Sequence, residues 1–281
     1  MSAPKPPKRG TRRLDESQAN YQAGKSLIKV EPNKLLDFFP TKDLGVLSKI
    51  QLTEESLYSS TTLAHADYIR DIIKLYYAED EYKDLVITDA TSCIGGTLMS
   101  CIEPFGEINA VELNPIHAKI MKHNLETVFP DKHVNVVNDN FISVLTTFKP
   151  KSNVVIIDPP WGGCDYYKEV NLKLYLNDKD GNPVEMSDII NMLKDETDMV
   201  LARVPFNYDM DRLKTIKFEH TNSFHFLKKY PQDGTYRSGK VKSLYHIYVF
   251  SHMKPVGDPS SLDPHKYYAM VNYRDIDFVK L

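Results

Sequence analysis

Four short apolar runs, each ending in an acidic residue, follow one another along the middle of the chain. They cover residues 85–89, 108–112, 134–139 and 153–158 and end in Asp89, Glu112, Asp139 and Asp158, and a fifth apolar run covers 199–202. A helix is predicted over 115–128, between the second and third runs. Strands that alternate with helices lie parallel in one sheet. We therefore predict an α/β, Rossmann-like fold with a mostly parallel sheet and helices on both faces.

The segments around this alternation predict the domain organisation. The predicted parts are a flexible basic N-terminal tail over 1–33, an N-terminal helical extension over 34–78 that contributes to the substrate site, a core over 79–252, and a C-terminal tail over 253–281 that packs on the core. An arm that attracts RNA phosphates is the alternative for the tail.

Within the core, two late apolar segments, 223–227 and 244–250, are predicted to form an antiparallel hairpin at the sheet edge. Residues 167–186 contain Asp, Gly, Asn and Pro in close succession and are predicted to be a loop.

Charge and cysteine content limit the partners. The formal net charge is −3 and the pI is about 6.3, so the chain as a whole is not attracted to nucleic acid. Any nucleic-acid contact must be local, or made to a short ligand such as a nucleotide or an RNA end. Three cysteines, unevenly spaced, form neither a disulfide framework nor a zinc site. With no apolar run of about 20 residues and no secretory signal, the prediction is an intracellular protein, in nucleus or cytoplasm, without membrane contact.

The acids at the strand ends predict a cofactor site, because ligands of open parallel sheets bind at the carboxyl ends of the strands. Residues 89–96 read DATSCIGG, which lacks the three-glycine fingerprint for a pyrophosphate. The turn suits S-adenosylmethionine, whose amino-acid end needs only a close backbone approach. We expect Glu112 to accept from the ribose hydroxyls and Asp139 from the adenine amino group, with Phe141 against the adenine ring. Acids that only cap helices are the alternative.

The fourth run is followed by the most informative loop, 158–163, which reads DPPWGG. Proline restricts the backbone, so a carbonyl in this loop has a fixed direction. Hydrogen bonds from an exocyclic amino group to the Asp158 side chain and the Pro159 carbonyl would direct its lone pair at a methyl donor. The loop therefore predicts amino-methyl transfer, with positioning and electrostatics supplying most of the rate.

Trp161 is the one tryptophan of the chain. Beside a proline and two glycines it can offer a flat face to a base. A cationic base would add cation–π energy of about 1–2 kcal/mol when desolvated. A tryptophan of the hydrophobic core is the alternative.

Three segments carry a resemblance to the trimethylguanosine synthases, the cap-specific guanine 2-amino methyltransferases. Residues 158–166 resemble that family's P-P-W-G-G-x-x-Y signature, 204–211 (VPFNYDMD) resemble its L-P-x-N-x-D-x-D, and 49–59 resemble the segment before its first domain helix. The resemblance covers about residues 45–250 and indicates a divergent member of viral type.

The resemblance implies an enzyme that transfers one or two methyl groups from S-adenosylmethionine to the 2-amino group of a 7-methylguanosine cap, without a metal. The catalytic set is Asp158, Pro159 and Trp161. The residues assigned to the cofactor and its product S-adenosylhomocysteine are Thr61, Asp89, Ala90, Thr91, Gly95, Glu112, Leu113, Asp139, Asn140, Phe141 and Asp158. The residues assigned to the cap are Ser59, Trp161, Tyr166 and Asn207.

Two departures from the family pattern bear on the substrate. Leu57 lies where the family commonly has tryptophan, and Phe206 where it commonly has arginine. The second change removes a cation that could meet the cap phosphates. A basic cluster (Lys228, Lys229, Arg237, Lys240 and Lys242) is a candidate replacement, with a solvated loop as the alternative.

Two other functions remain open. An adenine or cytosine amino-methyltransferase acting on DNA or RNA would use the same acid-Pro-Pro-aromatic loop, and an inactive cap-binding subunit could have kept the fold. The preferred interpretation is a monomeric enzyme whose partner is 7-methylguanosine-capped RNA, in the host cytoplasm if the protein is viral.

Overall fold

The structure is a computed structural model, and it describes residues 26–148, 151–163, 165–230, 240–263 and 278–280. Its strands are β1 Leu27–Val30, β2 Leu52–Thr53, β3 Val86–Asp89, β4 Glu107–Val111, β5 Asn135–Val137, β6 Val154–Ile157, β7 Tyr175–Asn177, β8 Pro183–Glu185, β9 Met199–Pro205, β10 His220–Tyr230, β11 Lys240–Ser251 and β12 Phe278–Lys280. Its α-helices are α1 Leu44–Leu47, α2 Glu54–Ser59, α3 Leu63–Lys74, α4 Pro115–Val128, α5 Phe141–Val144 and α6 Met186–Met192. Short 3-10 helices cover Pro32–Leu35, Glu79–Asp84, Thr97–Ser100, Tyr166–Lys168, Met210–Thr215 and Pro259–Ser261.

A seven-stranded sheet forms the centre, in the order β10-β11-β9-β6-β3-β4-β5. The strands from β9 to β5 are parallel to one another, and the hairpin of β10 and β11 joins β9 in antiparallel direction. This order confirms the predicted Rossmann-like fold with an antiparallel edge hairpin. The chain leaves β3 toward β4 on one side and reaches β6 on the other, so the strand order reverses between β3 and β6, which is where such sheets bind ligands.

Helices cover both faces of the sheet. The buried side chains of β6 alternate, with Val154 and Ile156 in one hydrophobic cluster and Val155 and Ile157 in the other. The first cluster includes apolar side chains of α3 and α4, and the second includes those of α5 and α6. Strands buried on both faces consist of continuous apolar runs, and this is why they could be recognised in the sequence.

The N-terminal extension packs against α4 through buried polar contacts. Thr53 caps α2 by accepting from the Ser56 backbone N–H at 3.1 Å, and its hydroxyl oxygen also lies 3.1 Å from His117 Nε2. Asn124 Oδ1 accepts from the Gln51 backbone N–H, and its Nδ2 donates to the Gln51 carbonyl, both at 2.9 Å. These bonds fix the start of α2 relative to α4.

Two sequence predictions differ from the structure. Leu27–Val30, assigned to the flexible tail, form β1, which pairs antiparallel with β2 and with β12. The 167–186 segment, predicted as a loop, contains the β7–β8 hairpin, because Asp178 Oδ1 accepts from the N–H groups of Asp180 and Asn182 and closes a turn between two short strands. Most of the predicted N-terminal tail and the aromatic residues Tyr267, Tyr268 and Tyr273 of the predicted C-terminal tail lie outside the described residues. Of the helices in the described part of the chain, none combines the length and apolar composition that a membrane crossing requires.

Candidate functional site

The carboxyl ends of β3 and β6 meet at the point where the strand order reverses. The Ala90 backbone N–H donates to the Ile156 carbonyl at 2.8 Å, and the Asp158 N–H donates to Thr91 Oγ1 at 3.0 Å. Ala90 itself is buried. The acids at the ends of these two strands, Asp89 and Asp158, therefore belong to one site.

The turn after β3 is shaped by backbone hydrogen bonds to two acids. Asp89 Oδ1 accepts from the Thr91 N–H at 3.1 Å, and Glu112 accepts from the N–H groups of Cys93 and Asn114, both at 2.7 Å. Cys93 (φ 50°) and Gly95 (φ 87°) both have the left-handed backbone conformation. Such a turn exposes backbone groups at close range, as the predicted cofactor requires.

Gly96, next in the turn, touches the N-terminal extension. A Cβ at this position would lie 2.8 Å from the carbonyl oxygen of Thr61, so only glycine allows this approach. The Thr61 hydroxyl also lies 3.0 Å from that of Thr97. The loop before α3 thus becomes one wall of the site.

Burial raises the pKa values of the acids in this region. Burial is the largest cause for Asp89, with Asp158 and Glu112 adding to it, and brings its pKa to about 7 in spite of the Thr91 hydrogen bond. Burial likewise brings the pKa of Glu112 to about 7 against its backbone hydrogen bonds. A nearby positive charge stabilises the ionised form of such a buried carboxylate and lowers its pKa. The site therefore has the electrostatics to bind a cationic ligand.

The end of β5 is more open than the end of β3. Asp139 is exposed and accepts from the Asn140 N–H at 2.6 Å, while Asn140 caps α5 through the Ile142 N–H. Leu113 is 63% exposed, which leaves its side chain accessible beside Glu112. Phe141 is 4% exposed and packs in the second hydrophobic cluster. Leu113 is therefore an accessible apolar side chain beside Glu112, and the contact of Phe141 with an adenine ring stays a prediction.

The predicted loop after β6 holds its acid and its tryptophan together. Trp161 Nε1 donates to Asp158 Oδ1 at 3.1 Å, and Arg203 donates from Nη1 to Asp158 Oδ2 at 2.8 Å. Trp161 is half-buried, and it packs against both hydrophobic clusters with part of its surface accessible. The indole is therefore held in place without being enclosed in the core.

Arg203, in the middle of β9, belongs to the site and was not predicted. Its guanidinium also donates to the Thr61 hydroxyl at 3.1 Å and lies over the rings of Tyr245 and Trp161, at 4.3 and 5.4 Å from their centroids. The only sequence signal for it is an arginine inside an otherwise apolar strand, MVLARVP. Burial raises the pKa of Asp158, and the cation of Arg203 opposes that rise.

Asn207 joins the loop after β9 to the loop after β6. Its Nδ2 donates to the carbonyls of Tyr166 and Glu169, both at 2.8 Å, and Tyr166 lies edge-on to Trp161 at 5.2 Å between ring centroids. Its Oδ1 is buried and has no hydrogen-bond partner among the described residues. Asn207 thus positions Tyr166 beside Trp161.

The remaining candidate residues from the sequence have fewer contacts with the site. Ser59 is exposed at the end of α2, and no hydrogen bond among the described residues joins its side chain to the loop after β6. Leu57 is 1% exposed and belongs to the core, so it has no surface for a ligand. Pro159 follows Asp158 just beyond the carboxyl end of β6. The side chains of the basic cluster around the tip of the β10–β11 hairpin lie outside the described residues.

Comparisons with known proteins identify a family and several relatives. The sequence profile of the RNA cap guanine-N2 methyltransferases matches residues 85–251. An uncharacterised protein of Acanthamoeba polyphaga mimivirus is 31% identical over 220 residues, which are 72% of this chain and 80% of that protein. The trimethylguanosine synthase of Schizosaccharomyces pombe is 26% identical over 148 residues, which are 50% of this chain and 58% of that enzyme. Among solved structures, a SAM-dependent methyltransferase from Agrobacterium tumefaciens aligns with a TM-score of 0.48 at 12% identity. The alignment covers 68% of this chain and 61% of that methyltransferase.

Proposed function

The chain belongs to the RNA cap guanine-N2 methyltransferase family, and from that premise we propose that it methylates the 2-amino group of a 7-methylguanosine cap. Membership makes the chain an S-adenosylmethionine-dependent methyltransferase, as predicted, and a divergent one with a viral relative. The proposed substrate is capped RNA, and the proposed product is a di- or trimethylguanosine cap.

One observation carries this proposal: the hydrogen bond between Trp161 and Asp158 at 3.1 Å. It ties a flat stacking surface to a carboxylate. A base that stacks on the indole would present an edge to Asp158 at a fixed angle, and on guanine that edge can carry the 2-amino group. The same indole favours a base with a positive charge, which 7-methylation supplies.

The residues around β3 and β4 fit S-adenosylmethionine, which when bound supplies an electrophilic methyl group on a positively charged sulfur. Asp89 and Glu112 are buried acids whose carboxylate forms a cation would stabilise. In the proposed arrangement Glu112 accepts from the ribose hydroxyls, Asp139 accepts from the adenine amino group and Leu113 covers the adenine ring. The turn of Ala90, Thr91 and Gly95 lies against the amino-acid end, with Thr61 opposite.

Asp158 has two tasks in the proposed reaction. It accepts a hydrogen bond from the 2-amino group together with the Pro159 carbonyl, which directs the nitrogen lone pair. Methylation leaves one proton too many on that nitrogen, and the carboxylate then accepts it. Arg203 supports both tasks as a positioning residue, because its guanidinium fixes Oδ2 at 2.8 Å and favours the ionised carboxylate.

Asn207 and Tyr166 would complete the base site. The buried Oδ1 of Asn207 is an acceptor for a base or ribose donor, and Tyr166 forms the side of the pocket next to Trp161. Ser59 remains a candidate for the cap only through the family resemblance. A monomeric state, action in the host cytoplasm and a reaction without a metal remain predictions; among the described residues no group of three His, Cys, Asp or Glu could hold a metal.

A methyl-transfer panel tests the proposal. Purified protein with S-adenosylmethionine is given a 7-methylated cap dinucleotide, the unmethylated cap dinucleotide, and adenine or cytosine oligonucleotides, and products are located by mass spectrometry. We expect methylation of the 7-methylated cap on the 2-amino group and little on the others. Equal transfer to the unmethylated cap would contradict the preference for a cationic base, and transfer to adenine or cytosine would favour the alternative amino-methyltransferase.

A further inference from the structure

One half-buried and two exposed aromatic rings lie next to Trp161 in the base site proposed above. We call Tyr166, Tyr167 and Phe206 the aromatic platform. Tyr166 lies 6.4 Å from Phe206 and 6.3 Å from Tyr167 between ring centroids, and 5.2 Å from Trp161. Phe206 is 48% exposed and Tyr167 is 55% exposed. The rings thus extend the aromatic surface from Trp161 outward to solvent.

The aromatic platform is held rigidly, which distinguishes it from aromatic residues that are exposed by chance. The two loops that carry it are joined by both amide hydrogen bonds of Asn207, and further by backbone bonds of 2.8 Å from Leu172 N–H to the Asn207 carbonyl and from Asp209 N–H to the Leu172 carbonyl. Tyr208, next to Asn207 in the chain, is buried, and its hydroxyl donates to Glu185 Oε1 at 2.9 Å. A preordered surface loses little entropy when a ligand binds.

The charge on these loops disfavours a phosphate as the ligand. Segments 165–172 and 205–209 contain one cationic side chain, Lys168, against three acids. Lys168 pairs with Asp165 at 2.6 Å and lies over the Tyr167 ring at 5.6 Å. Phe206 offers a ring where a cation would suit a phosphate. Neutral aromatic surface of this kind suits a nucleobase, which stacks on it whatever its sequence.

We propose that the aromatic platform binds the base of the nucleotide that follows the methylated guanosine in capped RNA. This inference rests on the proposed function and extends it, since the substrate becomes a cap dinucleotide or longer RNA rather than an isolated methylated guanosine nucleotide. Phe206 and Tyr167 supply the exposed rings, and Tyr166 connects them with Trp161.

Two substrates that differ only in the second base test the inference. One is a 7-methylated cap dinucleotide, and the other keeps its triphosphate and second ribose but lacks the second base. For the unmodified protein, kcat/KM should be at least about fivefold higher with the base than without it, as expected for one base stacked on an aromatic ring. Phe206→Ala and Tyr167→Ala should each bring this ratio toward one, and Phe206→Tyr should keep it.

Tyr175→Ala is the matched control, since Tyr175 is 42% exposed on β7, outside the aromatic platform. It should leave the ratio as in the unmodified protein. A ratio of one in the unmodified protein, or a ratio that Phe206→Ala leaves intact, would overturn the inference. If Phe206→Ala instead changes only the molecular mass in light scattering, the rings are a protein contact and the inference is wrong. Failure to methylate either compound would overturn the proposed function itself.

Discussion

The carboxyl ends of β3 and β4 hold their acids by backbone N–H groups, whereas the end of β6 holds its acid by side chains. Glu112 accepts from the N–H groups of Cys93 and Asn114, and Asp89 from that of Thr91. Asp158 accepts instead from the indole of Trp161 and from Arg203, 45 residues along the chain. The first arrangement shapes a turn around a ligand, and the second orients one carboxylate. We therefore expect substitutions on the first side to affect cofactor affinity and those on the second to affect rate.

The largest expected effect is on the β6 side. Asp158→Asn removes the proton acceptor while keeping the shape of the side chain, so turnover at saturating cofactor should fall by about 100-fold or more. Calorimetry with S-adenosylhomocysteine should show affinity near that of the unmodified protein. The exposed Asp180 in the β7–β8 turn offers a control, Asp180→Asn, with normal turnover. Equal losses of turnover and affinity in Asp158→Asn would erase the distinction between the two sides.

Arg203→Met should produce a smaller loss of turnover with a change in pH profile. Two charged groups interact with Asp158: Arg203, which lowers its pKa, and the buried acid Asp89. Without the cation the pKa of Asp158 rises further. As the pH is lowered, the carboxylate that the reaction needs then becomes protonated at a higher pH than in the unmodified protein. The acidic limb of kcat/KM should therefore move to higher pH, and Arg203→Lys should reverse part of the shift. A lower rate with an unmoved limb would mean that Arg203 is only structural.

On the β4 side, Glu112→Gln should weaken cofactor binding by about tenfold or more, the usual loss for hydrogen bonds to a charged group. Turnover at saturating cofactor should change less than affinity. Asp139→Asn is the internal comparison, because that acid is exposed and should contribute less. Isothermal titration of both variants with S-adenosylhomocysteine measures the difference, and a larger loss for Asp139→Asn would contradict the assigned order.

The unmodified protein should itself show a pH dependence of cofactor affinity. Asp89 and Glu112 have pKa values of about 7 without ligand. Both must be ionised to accept hydrogen bonds from a cationic ligand, so affinity is full above pH 7 and is lost as the pH falls below it. Each acid should cost roughly tenfold in affinity per pH unit below its pKa. A flat profile from pH 8 to pH 6 in titrations with S-adenosylmethionine would show that these acids do not contact it.

The same contrast explains which features the sequence could predict. Local patterns specify the strands that are buried on both faces, and they also specify α4. This helix begins at Pro115 after its Asn114 cap and ends at Val128, as predicted. The acids at the strand ends follow from that topology. The β7–β8 hairpin and β1 were missed because they lie outside the alternation of strands and helices, and β1 pairs with β12 at the other end of the chain. No local pattern specifies such a partner.

Arg203 is the part of the site that the sequence could not predict. Its strand is apolar, and its role depends on where β9 lies beside β6 and on the approach of Thr61 and Tyr245 from other parts of the chain. The position of Phe141 after Asp139 predicts a ligand contact, and the structure adds that its side chain is buried in the second hydrophobic cluster, which the sequence did not indicate. Side-chain direction within an element depends on packing that spacing alone does not reveal.

Intrinsic fluorescence offers the most direct test of the account, because Trp161 is the one tryptophan in the sequence. Titration with a 7-methylated cap dinucleotide, in the presence of S-adenosylhomocysteine, should quench its emission. The affinity should exceed that for the unmethylated cap by about five- to thirtyfold, the equivalent of a cation–π gain of about 1–2 kcal/mol. Equal affinities for the two caps, or binding of the methylated cap without quenching, would contradict stacking of a methylated guanine on Trp161.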